Sequence, residues 1–295
     1  MQCPICKSTN YSIDPVASRL IGLCEPFKVM TCSGCGLGQL MPHLDLKEMK
    51  NLYDQAYFDS PNADKAGLDN ISLVDDYANA VESRIPKFNN TLNDLTNRFP
   101  ESRTFLDIGA ATGEMVMMAR RAGYQAEGVE FSDFAVNKAR EKWGIILKQT
   151  LLSEMESESF DIVHLNHVFE HFTDPVAELK NVHRILTAGG GLYIEIPYQF
   201  HVVERLKHRF ASRSVPFSLH SIHHPFFYTP KTIQRLLRDH GFHILKLNVF
   251  AADRYPALTP SQQVKRLFWR AASWVSVGNY IEIMAIKRVS PNAKK

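Results

Sequence analysis

The stretch FLDIGAATGEM, Phe105 to Met115, decides the fold. An apolar, β-like run from Thr104 to Ile108 leads into a turn with small residues at Gly109, Ala110, Ala111 and Gly113, and helix-forming sequence follows. An acid (Asp107) near the end of a strand, small residues that let a ligand approach the backbone, and a helix N-terminus are the parts of a nucleotide site. A dinucleotide turn wants glycines at 109, 111 and 114. Ala111 and Glu114 stand at two of those places, and Glu114 would set a negative charge beside a pyrophosphate, so NAD is disfavoured.

Outward from this stretch, strand-like and helix-like segments alternate, which predicts a parallel sheet with helices on both faces. Strands are expected at 104–108, 126–130, 145–148, 160–165 and 191–196, and helices at about 113–122, 133–142 and 175–187. A helix over 230–240 and strands at 243–249 and 280–287 follow. Glu130 closes the second strand roughly 20 residues after Asp107, where a carboxylate can accept both hydroxyls of a ribose. Capping the next helix is the plainer role for such a Glu, but Ser132 and Asp133 can already do that. The fourth strand runs into FDIVHLNHVFEHFTDP, and open α/β sheets bind ligands beyond the carboxyl ends of their strands, which puts Asn166 and His167 at the site. Glu170 and His171 follow one turn later, where fixing the loop by hydrogen bonds competes with a chemical role. Pro175 after Asp174 is a helix start.

LDIGAATG resembles the first motif of the class I S-adenosylmethionine-dependent methyltransferases, with Ala111 in place of that motif's middle glycine. FDIVHLNHVFEHFTDP resembles their F-D-x-V…x-x-E-H…D-P stretch. RILTAGGGLYIEIP resembles their L-x-P-G-G turn, read as a helix stopped by Gly189 to Gly191 and then a strand. HHPFFYTPKTIQRLLRDHGF resembles the closing segment and aligns His224 with the family's histidine. The resemblance implies a seven-stranded, Rossmann-like, doubly wound sheet with a reversed last strand. It also implies S-adenosylmethionine held by Asp107, Gly109, Ala110, Gly113, Glu130, Phe131 (flanking the adenine) and Asn166. His167 and His224 are the candidate bases at the mouth of the site, since histidine suits proton removal near neutral pH.

The N-terminus carries a second signal. Cys3 and Cys6 form one C-x2-C pair and Cys32 and Cys35 another, with Gly34 and Gly36 flanking the last ligand. Two such knuckles complete a tetrahedral Zn²⁺ shell, and four thiolates leave no position open for water, so the zinc is expected to be structural. Disulfides are the alternative; an N-terminus, MQCPIC, without a signal core argues for metal and for a cytoplasmic protein. The resulting division is a zinc ribbon over 1–42, a helical connector or lid over 43–100 and a methyltransferase domain over 101–290. Within the connector, Tyr57 is a candidate cover for the cofactor by resemblance to related ribbon-bearing enzymes, although packing with Tyr53 is the simpler reading.

Of 295 residues, 45% are hydrophobic, enough to bury a core, and the net charge of +3 is too small to imply a nucleic-acid or membrane partner by itself. No apolar run reaches the length of a membrane span. The segment 201–224 holds five of the chain's 12 histidines together with Arg205, Lys207, Arg209 and Arg213. A basic insertion there would suit a phosphorylated acceptor such as a sugar nucleotide, unless it is simply a solvated helix face. A second metal site in these histidines is the disfavoured alternative, since no His pair at helical spacing with a carboxylate occurs in the segment. A helix over 261–278 with Trp269 and Trp274 is expected to pack on the sheet, with peripheral membrane contact as the alternative.

Chains that join a ribbon to this domain resemble enzymes acting on sugars, nucleotide sugars and other small metabolites. A small-molecule or glycan acceptor is therefore the first expectation. A nucleic-acid or protein methyltransferase docking through its ribbon comes second, and a non-catalytic scaffold third. The ribbon offers only Lys7, Arg19 and Lys28 between its ends, which argues against RNA.

Overall fold

The computed structural model describes residues 2–20, 26–44, 81–201, 205, 224–250 and 278–289. Cys24, Tyr53, Tyr57, most of the 201–224 insertion and nearly all of the expected 261–278 helix lie outside these residues.

The first strands are β1 (Tyr11–Ile13), β2 (Lys28–Cys32) and β3 (Gly38–Met41), with α1 (Pro15–Leu20) after β1. Then come α2 (Val81–Arg98), β4 (Thr104–Ile108), α3 (Glu114–Arg121), β5 (Gln125–Val129), α4 (Asp133–Trp143) and β6 (Phe160–Asn166). The chain continues through α5 (Pro175–Ile185), β7 (Leu186–Pro197), β8 (Phe226–Phe227), α6 (Pro230–Asp239), β9 (Phe242–Phe250) and β10 (Tyr280–Lys287). Local signals set the helix ends. Ser132 accepts from the Ala135 amide, Asp174 from Val176 and Ala177 with Pro175 at the first turn, and Thr229 from Thr232.

The main sheet has the order β5-β4-β6-β7-β10-β9, and only β10 is reversed, being antiparallel to both β7 and β9. Alternation along the strands separates two apolar layers. Leu106, Ile108, Val163, Leu165, Ile194 and Ile196 face one layer, which takes in α5 and α6. Phe105, Ile162, Tyr193 and Met284 face the other, with Phe88, Leu92 and Leu95 of α2 and the buried side of α3. This is the expected doubly wound α/β architecture. Helix α2, placed by sequence within the connector, thus packs directly on the sheet.

Two details differ from expectation. The strand expected at 145–148 reduces to a single parallel bridge, Val129 to Lys148. Ile145 and Leu147 are buried there, but Ile146 is exposed and Gln149 turns its side chain to Asp133, so the edge ladder stops after one residue. The helix before the glycine run ends at Ile185, and strand β7 begins at Leu186. Opposite Phe160 and Ile162 the ladder skips from Leu186 to Gly191, so the residues between bulge outward, with Gly189 at φ 77°. Gly191 then lies on Phe99; a Cβ there would come 2.6 Å from the ring.

The ribbon is joined to the main body. Strand β8 pairs with β3 and completes a second sheet, β1-β2-β3-β8. Cys3, Ile5, Cys32 and Leu37 share one apolar layer with Phe169, Phe226 and Tyr228.

Candidate active site

Strand β4 delivers the turn at residues 109–113 to the carboxyl end of the sheet. Gly109 (φ 68°) and Gly113 (φ 82°) adopt left-handed backbone, and so does Ala111 (φ 45°), a conformation costly for a residue with a Cβ. A Cβ on Gly109 would sit 2.3 Å from Val168 Cγ2, so the turn and the segment after β6 are in contact. The Gly109 and Ala110 amides both donate to the Val129 carbonyl. Glu130, half-buried beyond β5, gathers the turn. Its carboxylate accepts from the amides of Ala111 (2.9 Å), Phe131 (2.8 Å) and Ser132 (2.9 Å). Burial raises its pKa, and these three donors oppose the shift. Phe131 beside it is 49% exposed, leaving an aromatic face open at the rim.

Glu114 does not present a bare charge to the turn. It is buried and accepts from Thr112 Oγ1 and from Arg84 of α2 at 3.0 Å, so its charge is turned toward the helix.

Register aligns a buried polar row across the sheet. Asp107 on β4 is opposite His164 on β6, which is opposite Tyr193 on β7. Asp107 Oδ1 lies 2.7 Å from His164 Nδ1, and the imidazole stacks on Tyr193 with centroids 4.9 Å apart and planes 11° off parallel. Burial raises the Asp107 pKa against the pull of His164. Tyr193 donates to Glu195 at 3.2 Å.

Glu195 links this row to the mouth. It is 1% exposed, pairs with Lys87 of α2, and lies 3.1 Å from His167 Nε2. Burial would raise its pKa, but Lys87 and His167 outweigh that and hold it down at about 2. His167 stands in left-handed backbone (φ 57°), with Nδ1 3.5 Å from Glu170 and its ring edge-on to Tyr280. Burial would lower its pKa; the Glu170 and Glu195 carboxylates beside it prevail and raise it. Asn166 Oδ1 accepts from Lys87 at 3.4 Å.

Beyond His167, the short turn Phe169–His171 carries Glu170 and His171. The His171 and His224 rings meet edge to face at 4.6 Å, and His224 Nδ1 lies 3.0 Å from the Gln199 side-chain amide. His224 is buried immediately before β8, so it enters the site on the strand that pairs with the ribbon. A continuous path of contacts therefore runs from Gly109 through Val168, His167, Glu170 and His171 to His224.

Sequence reasoning did not find His164, Glu195 or Lys87. Glu195 carried a legible signal, a carboxylate within the apolar run LYIEIP, the same cue that marks Glu130. His164 and Lys87 carried none, because their partners are set by register and by helix packing.

At the ribbon, the four cysteine sulfurs lie within 4.8 Å of one another. Cys3 and Cys35 are 3.6 Å apart and Cys6 and Cys32 3.4 Å, too far for disulfides. Ligands at about 2.3 Å from a tetrahedral centre would stand about 3.8 Å apart.

The reversed β10, the Gly-rich turn after β4 and the strand-end Glu130 define a class I S-adenosylmethionine-dependent methyltransferase. A family model described as a methyltransferase domain matches residues 80–247, and the chain belongs to that family. Solved structures share the fold. The plantazolicin methyltransferase BpumL, solved with S-adenosylhomocysteine, is 16% identical, with TM-score 0.53 over 83% of this chain and 96% of its own. A chain of the complex between the Haloferax volcanii Trm112 methyltransferase activator and a methyltransferase is 16% identical, with TM-score 0.53 over 73% of this chain and 96% of its own. A methyltransferase from Thermotoga maritima is 19% identical, with TM-score 0.50 over 74% and 97%. A search of curated proteins finds no match. No helix among the described residues is long and apolar enough to cross a membrane.

Proposed function

We propose that this methyltransferase acts on a hydroxyl of a small polar acceptor, a sugar or sugar nucleotide first among them. The observation that carries the reading is the depth of the ionisable groups at the mouth. Glu170 and Glu195 are each 1% exposed and His224 is 7% exposed, within reach of a small molecule and set too deep for the surface of a folded macromolecule. The alternative, docking of nucleic acid or protein through the ribbon, is disfavoured because the ribbon's β3 and its Leu37 are engaged with the catalytic body.

When bound, S-adenosylmethionine supplies an electrophilic methyl group on a sulfonium. The chain's own task is then alignment and exclusion of water. Gly109, Ala110 and Gly113 form the small-residue turn that admits the cofactor, Glu130 takes the ribose hydroxyls, Phe131 covers the adenine, and Asn166 serves the methionine end. Asp107 acts through His164, holding the row on which β4, β6 and β7 are registered.

His167, expected as a candidate base, faces a carboxylate with each ring nitrogen, Glu170 with one and Glu195 with the other. Flanked by these two carboxylates, His167 is an orienting residue. The acceptor hydroxyl is activated at the cluster of Glu170, His171 and His224. We also propose that Cys3, Cys6, Cys32 and Cys35 bind one structural zinc, with residues 1–42 as a ribbon fixed to the 101–290 domain and 43–100 as the connector; the sulfur spacing supports this.

The test is transfer of labelled methyl from S-adenosylmethionine to nucleotide sugars and free sugars, run beside total RNA and denatured protein. Label in a sugar is the expected result. Label confined to the macromolecules would refute the acceptor class.

A further inference from the structure

The buried cluster beyond His167 has a feature that methyl transfer does not require. Glu170 is 1% exposed, and neither of its carboxylate oxygens makes a hydrogen bond among the described residues. Among the described residues the nearest cationic candidates are His167 Nδ1 at 3.5 Å and His171 Nε2 at 3.9 Å, both beyond hydrogen-bond contact. The Tyr228 hydroxyl, buried among the same residues, also lacks a hydrogen-bond partner among the described residues. A carboxylate taken out of water without a hydrogen bond is costly, and a cation bound directly to it would satisfy it where the two imidazoles stand too far off.

We propose that Glu170, His171 and His224 bind a divalent first-row transition-metal ion, separate from the four-cysteine centre. One ligand atom from each lies within 4.8 Å of the others. Bonds of about 2.0–2.2 Å to nitrogen and oxygen then require only side-chain rotation to close on an ion. Two imidazoles and one carboxylate suit Mn²⁺, Fe²⁺ or Zn²⁺ and disfavour the all-oxygen ions Ca²⁺ and Mg²⁺. Gln199, 3.0 Å from His224 Nδ1, supplies the kind of bond that orients a ligating imidazole. The third ligand is held in place from the ribbon side: Leu40 donates to the Pro225 carbonyl, and β8 follows at once.

Three protein ligands leave positions open on the ion, and the proposed acceptor hydroxyl would take one of them. This part rests on the acceptor reading above. The bound hydroxyl has a lowered pKa and releases its proton to water. An oxygen lone pair forms the bond to the methyl carbon, and the sulfur–methyl bond breaks with its electrons left on sulfur. The sulfonium becomes a neutral thioether, and the products are a methyl ether, S-adenosylhomocysteine and one proton. His224, expected as a base, becomes a ligand.

The binding test needs no acceptor, so its failure is distinguishable from a wrong acceptor class. Full-length protein is titrated with Mn²⁺, and the free ion is followed by electron paramagnetic resonance. One Mn²⁺ should bind per chain, with at least about 10-fold weaker binding in Glu170→Gln and in His224→Gln. In the wild type, spin-echo modulation should show coupling to imidazole nitrogen, a result independent of how any variant folds. Absence of stoichiometric binding, equal binding by both folded variants, or no nitrogen coupling would each overturn the proposal.

Discussion

Gly109→Ala tests how tightly the cofactor turn is locked to the segment after β6. Gly109 has φ 68°, and an alanine held there loses about 1–2 kcal/mol to left-handed backbone alone. The added Cβ would also lie 2.3 Å from Val168 Cγ2 and 3.2 Å from Cγ1. Valine is stiff at χ1, so relief must come from moving the turn or the Val168 backbone, and overpacking of this kind costs about 1–3 kcal/mol. Together the substitution should destabilise the protein by about 2–5 kcal/mol, a large share of the roughly 5–15 kcal/mol typical of a domain. Denaturant unfolding of wild type, Gly109→Ala, Val168→Ala and the double variant separates the parts. The steric part should appear as a coupling energy of about 1–3 kcal/mol, while the backbone part persists in the double variant. Because Val168 follows His167, the single variant should also weaken acceptor turnover. A Gly109→Ala protein within about 0.5 kcal/mol of wild type, or a cycle with no coupling, would refute the reasoning.

Four further outcomes follow from the same geometry. Ala111→Gly relieves the φ of 45° and, after the greater freedom of glycine in the unfolded chain, should stabilise by about 0.5–1 kcal/mol; a lower melting temperature would contradict this. Glu130→Ala should weaken S-adenosylmethionine binding by about 1–3 kcal/mol in calorimetry and lower stability as well, because three backbone amides lose their acceptor; unchanged affinity would sink the ribose assignment. Burial tends to raise the Asp161 pKa, but donors from the Arg103 and Thr104 amides and the Thr187 hydroxyl hold it below the ordinary value. Its contribution, about 1–2 kcal/mol relative to Asp161→Asn, should be complete above about pH 4–5 and fade as pH falls through the lowered folded value; a difference that grows on acidification would reverse the sign. Metal analysis should find zinc at the four cysteines, and its removal should raise amide exchange in β3 and β8 while β4 and β6 stay protected; uniform loss of protection would show that the ribbon holds up the whole fold.

The local part of this architecture is legible in the chain. Apolar runs mark β4, β6, β7 and β10, Ser132 and the Asp174–Pro175 pair mark helix starts, and two C-x2-C pairs mark the ribbon. Each of these signals acts over a few residues, through side-chain periodicity, a cap bond or a chelating turn. What the tertiary structure decided is which distant residues meet. Register alone puts Asp107, His164 and Tyr193 in one row, and a one-residue slip would turn His164 to the other layer. Packing of α2 brings Lys87 to Glu195. The expected strand at 145–148 shrinks to one bridge because edge pairing depends on what flanks it, with Gln149 drawn off to Asp133. Glu170 and His171 are neighbours in sequence, but His224 joins them only because β8 pairs with the ribbon's β3. No local pattern of histidines could announce that cluster, since its third member arrives through a strand pairing between the two parts of the chain.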